Sequence, residues 1–277
     1  MASSSSTSGW KHASWAFLAD FSWNEPDDPV PDWGGACAMA AARLAYEAPL
    51  WERLGELLAA ASIGLAGFGA DPLETDWTRF RPLKRDREER WSDWLAHLLE
   101  HSTTGVFASL LFGRTVDTCQ RPEVHRELVI GGARLDLRVA WSDGASSHVE
   151  VKTGDLCLEK TFPTAQLHRE YIGHSRCDDW ILLPPEHLAR WHRVEQLGAA
   201  AFAIVIRAVT WRDVATALRK ALTHSGETLP WKVWAWTLVG CIEQDLLHFP
   251  RLVNGVPVGG GAALSQLLAY LEDCQHE

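Results

Sequence analysis

An α/β fold, with a mixed sheet flanked by helices, is what this sequence predicts, and three observations predict it. The segments LDLRVAW (135–141) and HVEVKT (148–153) alternate apolar and polar residues with period two, as half-buried strands do. WILLP (180–184) and AFAIVIR (201–207) are short continuous apolar runs, which suit strands buried on both faces. Around them lie segments with the three/four apolar spacing of amphipathic helices.

The 277 residues, 47% hydrophobic and 22% charged, have ample material for a core. No apolar run approaches the roughly 18 residues of a membrane span. The start, MASSSSTSGWKHAS, lacks the pattern of a secretory signal. The expectation is a cytoplasmic protein without a membrane partner. Six Cys (37, 119, 157, 177, 241, 274) form no Cys-X-X-Cys pair, consistent with reduced thiols. A formal net charge of −10 counts against a simple nucleic-acid binder, although it leaves a local basic groove open.

Taken in order, residues 1–9 read as a disordered Ser/Thr-rich tail and 10–78 as an N-terminal helical region. Within it, 36–47 and 50–62 predict two helices separated at Pro49. A basic stretch follows (Arg79, Arg81, Lys84, Arg85, Arg87, Arg90), then a helix burying Trp91, Trp94, Leu95, Leu98 and Leu99. On its wheel Glu88 lies along the edge of the buried face and Glu89 nearly opposite. EVHRELVI (123–130) predicts a strand, joined through Gly131-Gly132 to the strand carrying Asp136. Asp143-Gly144 marks the next turn, PTAQLHREYIG (163–173) a helix, and 185–197 another. After the AFAIVIR strand, a helix is predicted over 211–223, starting behind Thr210. Residues 225–277 read as a C-terminal region of two helices split by the Pro/Gly linker FPRLVNGVPVGGG.

If the strands around Asp136 and Glu150 pair as a hairpin, their apolar faces (Leu135, Leu137, Val139, Trp141; Val149, Val151) bury together. Asp136, Glu150 and Lys152 then emerge side by side on the other face. Paired carboxylates repel unless a cation sits between them, and Mg²⁺ takes such oxygen ligands. A lysine beside that metal can hold or deprotonate a water or stabilise phosphoryl charge.

An Asp in one strand followed by Glu-Val-Lys in the next, within the order helix, three strands, helix, strand, resembles the PD-(D/E)XK nuclease superfamily. The resemblance implies a restriction-endonuclease-like core over 79–224 with helical additions at both ends. It implies metal binding by Asp136, Glu150 and the Val151 carbonyl, with Mg²⁺ or Mn²⁺ as cofactor. Lys152 would hold or activate the attacking water. Glu88, in a run (REERWSDWLAHLL) similar to an Arg-Glu-x-x-aromatic pattern of some members, would bind a second metal or its water, with Glu89 as the fallback. Gln166 would complete the rim, with Tyr171 one residue beyond the commonest spacing. No Pro-Asp pair is present, since Leu135 precedes the Asp. The implied activity is metal-dependent hydrolysis of phosphodiesters, DNA favoured, which would suit restriction or anti-phage defence. Lys84, Arg85, Arg87, Arg138 and Lys160 are the candidate phosphate contacts, and the helical additions could serve a homodimer or protein partner. The rival reading is a catalytically silent nucleic-acid-binding or scaffold protein that keeps the fold. A zinc site from Cys157, His168, His174 and Cys177 matches no common spacing and is set aside, as are a phosphate-binding role for GVPVGGG and thiol chemistry at Cys177.

Overall fold

The structure, a computed structural model, describes residues 33–68, 71–75, 87–114, 121–154, 157–173, 176–253, 256–258 and 264–275. The chain divides into two units, Met1–Ala48 and Pro49–Glu277. The boundary falls inside a single helix, α1 (Trp33–Leu65), which contains Pro49. The two helices expected there are therefore one element. Proline removes one backbone donor, and the Ala- and Leu-rich sequence on either side sustains the helix past it. The described residues of the first unit are mostly exposed, Met39, Leu44 and Tyr46 among them.

The larger unit is built on a five-stranded mixed sheet in the order β1-β2-β3-β4-β5, flanked by helices. Helices α2 (Glu88–His101) and α3 (Val106–Phe112) precede β1 (Glu123–Ile130), β2 (Ala133–Ala140) and β3 (Ser146–Val151). Then come α4 (Thr161–Ile172), β4 (Cys177–Leu183), α5 (Leu188–Phe202), β5 (Ile206–Thr210) and α6 (Trp211–Thr223). The chain closes with α7 (Leu229–Cys241), a π-helical turn over Ile242–Leu246, the hairpin β6 (Arg251–Val253) and β7 (Val256–Val258), and α8 (Leu264–Gln275). Strands β1, β2 and β3 pair antiparallel, whereas β3–β4 and β4–β5 are parallel.

Local chemistry sets the connections. Ile130 faces Ala133 across a two-residue turn in which Gly131 and Gly132 take φ of +56° and +87°. Two positive φ angles suit the twist of a tight hairpin, and glycine adopts them without a steric cost. Helix α6 begins where predicted, with a capping box in which Thr210 and Asp213 satisfy each other's backbone N–H groups. Three expectations shift. Helix α3 was not anticipated, and part of the supposed C-terminal linker is the β6–β7 hairpin. The strand expected over 201–207 starts only at Ile206, because the Ala-rich run before it extends α5 to Phe202, and Ala203 ends that helix at φ +53°.

One face of the sheet presents Leu137, Val139, Val149, Val151, Trp180, Leu182 and Val209 to a core shared with α2, α3, α6, α7 and α8. Each fully buried Leu or Val contributes about 1.5–3 kcal/mol to holding these layers together. The opposite face is divided. Toward β4 and β5 it is apolar, with Ile181, Leu183 and Ile206 packed on Phe162, Ala165 and Trp191 of α4 and α5. Toward β2 and β3 it carries the polar residues Asp136, Arg138, His148 and Glu150. This polar half is not an open surface, as the alternation alone suggested. His148, Glu150 and Lys152 are buried, and α4 packs on β2, β3 and β4.

Candidate functional site

The site lies where two strands part. Pairing of β2 with β3 ends at Leu137↔Val149, while β3 stays paired with β4 as far as Val151↔Leu182. The Val151 N–H is thereby left to the side chain of Asp136, donating to Oδ2 at 2.9 Å. On the other side of β2, the ladder with β1 skips Glu127, which lies opposite Asp136 and holds a φ of +51°. A non-glycine residue there is strained by about 1 kcal/mol or more. Among the described residues Asp136 Oδ1 accepts no hydrogen bond.

Lys152 immediately follows β3. Its N–H donates to the Leu182 carbonyl at 2.8 Å, and its own carbonyl accepts from the Trp211 indole at 2.8 Å. Its Nζ lies 3.0 Å from Glu150 Oε1 and 3.2 Å from Glu88 Oε1. Glu88 Oε2 in turn accepts the Thr153 N–H at 2.9 Å. Glu88 stands in the first turn of α2, and the helix is anchored by Trp91, which meets Trp211 edge-on at a centroid distance of 5.4 Å. Glu89 is exposed on another side of the helix, 3.7 Å from Arg134. The fork thus brings Asp136, Glu150, Lys152 and Glu88 together.

The electrostatics of this group are unbalanced. Burial, and then the neighbouring Glu150 charge, push the Asp136 carboxyl up to about 6. Burial also opposes ionisation of Glu150, but contact with His148 and the charge of Lys152 outweigh it and hold that carboxyl below its ordinary value. For Lys152, burial favours the neutral amine, yet Glu150 and Glu88 prevail and raise it above the ordinary lysine value. In this arrangement Lys152 keeps its proton, so it can hold a water or stabilise negative charge but cannot take up a proton.

Behind Glu150 runs a second, fully internal network. His148 and Asp179 face each other in the parallel β3–β4 register. Asp179 Oδ1 lies 3.3 Å from His148 Nδ1 and 3.1 Å from His168 Nδ1, and its Oδ2 accepts from Arg169 Nε at 2.5 Å. His168 Nε2 meets Ser146 Oγ at 3.1 Å. Among the described residues His148 Nε2 is buried without a hydrogen bond, and it lies 3.7 Å from Glu150 Oε2. Burial favours neutral His148, but Asp179 and Glu150 outweigh it and raise the imidazole to about 9. His148, His168 and Asp179 could hold a metal ion, since one ligand atom from each lies within 4.8 Å of the others. Their hydrogen bonds to one another and to Arg169 already satisfy the Asp179 carboxylate.

The remaining expected residues are not part of the cluster. Gln166 lies on the exposed side of α4, donating to Glu170 Oε1 at 2.9 Å, because the buried side of that helix is set by Thr161, Phe162, Ala165 and His168. Tyr171 is exposed as well. Arg138 is half-buried and donates to Ser146 Oγ at 3.1 Å, while Arg87 and Lys160 are exposed at the starts of α2 and α4. Lys84 and Arg85 lie outside the described residues. The sequence reading missed the roles of His148 and Asp179, and it weighed His168 only as a zinc ligand. The one local signal was His148, two residues before Glu150 on the same strand face.

No family model, curated protein or solved structure matches the chain. The functional reading therefore stands on the fork and its charges. Among the described residues, no helix is long and apolar enough to cross a membrane.

Proposed function

We propose that the chain is a Mg²⁺-dependent phosphodiester hydrolase of the PD-(D/E)XK type, a nuclease with DNA as the favoured substrate. The observation that carries the reading is Asp136. One of its oxygens lacks a hydrogen bond among the described residues, and its carboxyl is raised to about 6 beside two further carboxylates and a lysine. Nothing in a purely structural ion pair asks for that excess of acid, whereas a hard divalent cation relieves it. The order α2, β1, β2, β3, α4, β4 adds support, because it is the helix–strand–strand–strand–helix–strand order that the resemblance implies, with the short α3 inserted.

Asp136 and Glu150, with the Val151 carbonyl, would hold Mg²⁺, which when bound supplies Lewis-acid polarisation of a phosphoryl oxygen. Lys152, kept protonated by Glu150 and Glu88, holds a water beside the scissile phosphate and stabilises the charge that develops there. Glu88 fixes Lys152 and, through Thr153, the turn that carries it. The fork's burial strengthens each of these interactions by limiting access of water.

A second reading, a silent binding protein with this fold, is favoured by the formal net charge of −10. One experiment separates the two: cleavage of plasmid, linear duplex, single-stranded DNA and RNA with Mg²⁺ or Mn²⁺, by wild type and Lys152→Ala. The nuclease reading expects metal-dependent cutting that falls at least about 100-fold in the variant. Absence of cutting by wild type on every substrate, with no Asp136-dependent metal binding, favours the silent protein.

A further inference from the structure

The structure assigns His148 as a positioning residue that orients Glu150 from behind through a chain running Arg169–Asp179–His148–Glu150. For its functional consequence the inference rests on the metal-site reading above; its geometry does not.

Four observations carry it. His148 is completely buried, and its Nδ1 is tied to Asp179, so the ring cannot turn without breaking that contact. Among the described residues its Nε2 has no other partner and lies 3.7 Å from Glu150 Oε2; with Nδ1 donating to Asp179, the doubly protonated ring presents an N–H toward that oxygen. Asp179 is itself fixed by Arg169 and His168, which makes the support rigid rather than a loose pair. Finally, Glu150 Oε1 is held at 3.0 Å by Lys152 on the opposite side. One oxygen of the carboxylate is thus held from the fork, while the other faces the buried imidazole at ion-pair distance. A ligand carboxylate whose rear oxygen is fixed keeps its front oxygen at one place, and such outer contacts commonly change metal affinity by 10–100-fold. Asp179 pairs directly with His148 across β3–β4, so this support is written into the strand register. Helix α4, by contributing His168 and Arg169, locks it from above.

The test compares wild type, His148→Gln, His148→Leu and Asp179→Asn. Gln reaches nearly as far as imidazole and keeps an N–H donor, whereas Leu fills the space without one. Crystal structures at neutral pH read the Glu150 position directly. The inference expects Glu150 to turn away from its wild-type rotamer in His148→Leu and to stay in His148→Gln. In the cleavage assay, half-saturating Mg²⁺ should rise at least tenfold in His148→Leu and return to within about threefold of wild type in His148→Gln. Asp179→Asn removes the charge behind His148 while keeping the shape, and it serves if the Leu variant does not fold. It should shift the Mg²⁺ requirement in the same direction by a smaller factor. An unmoved Glu150 in His148→Leu, or equal losses in the Leu and Gln variants, would overturn the assignment. So would a metal bound by His148, His168 and Asp179 in Mg²⁺- or Zn²⁺-soaked crystals. If wild type shows neither metal-dependent cleavage nor Asp136-dependent metal binding, the nuclease reading fails, while the Glu150 rotamers still decide the positioning role.

Discussion

Two buried ionic clusters in this molecule look alike in composition and behave oppositely. The first is the fork at Asp136, Glu150, Lys152 and Glu88. The second joins Arg219 of α6 to Asp71, to Glu243 of the π-helical turn and to Tyr270 of α8. In the second cluster every carboxylate oxygen is used. Asp71 receives two guanidinium N–H groups and the Leu73 N–H, and Glu243 receives the other guanidinium bonds and the Tyr270 hydroxyl. Its members are all buried, and it ties the segment before α2 to the C-terminal helices. In the fork, by contrast, Asp136 keeps an oxygen without a hydrogen bond among the described residues, and Glu88 remains 27% exposed. Buried charge alone does not mark a site. What distinguishes the fork is a carboxylate oxygen left without a donor among the described residues.

The comparison can be broken from its closed side first. Arg219→Met strips the guanidinium from two buried carboxylates and should cost about 3–5 kcal/mol in urea denaturation. A loss below about 1 kcal/mol would mean that this cluster is not the staple described.

On the open side the sign reverses. The Asp136 carboxyl rises from an ordinary 3.8 to about 6 on folding. Between those values the native state binds more protons than the unfolded chain, so stability falls as pH rises through that window and stays lowered above it. Asp136→Asn keeps an acceptor for the Val151 N–H and removes the penalty. It should therefore stabilise the protein by about 1–2 kcal/mol at pH 7, a gain that disappears near pH 4. Thermal melts across pH check this, and a variant less stable at pH 7 would show that the fork is not under acidic strain. At the small end, Gln166→Ala removes only an exposed contact with Glu170 and should stay within about 0.5 kcal/mol of wild type.

How far each cluster could be read in the sequence follows from the range of its interactions. Strand alternation placed Asp136, Glu150 and Lys152 on one side of a hairpin, and helical periodicity separated Glu88 from Glu89. Both are local signals, and the fork expresses them directly. The pairing of His148 with Asp179 depends on the register of two parallel strands joined through a helix, which no local period encodes. For the same reason, alternation could not reveal that α4 covers the polar half of the sheet. Gln166 was placed on the right helix, but the helix turns its His168 side inward, because Phe162 and Ala165 face the apolar half of the sheet. The Arg219 cluster joins residues up to 199 positions apart in chain order and has no sequence signature at all.

The most direct test of the central claim is Mg²⁺ binding by calorimetry on wild type and Asp136→Asn at pH 7. The fork predicts saturable binding to wild type that weakens at least tenfold in the variant, even though the variant is the more stable protein. Binding of equal strength in both, or none to wild type, would contradict a divalent-cation site at Asp136.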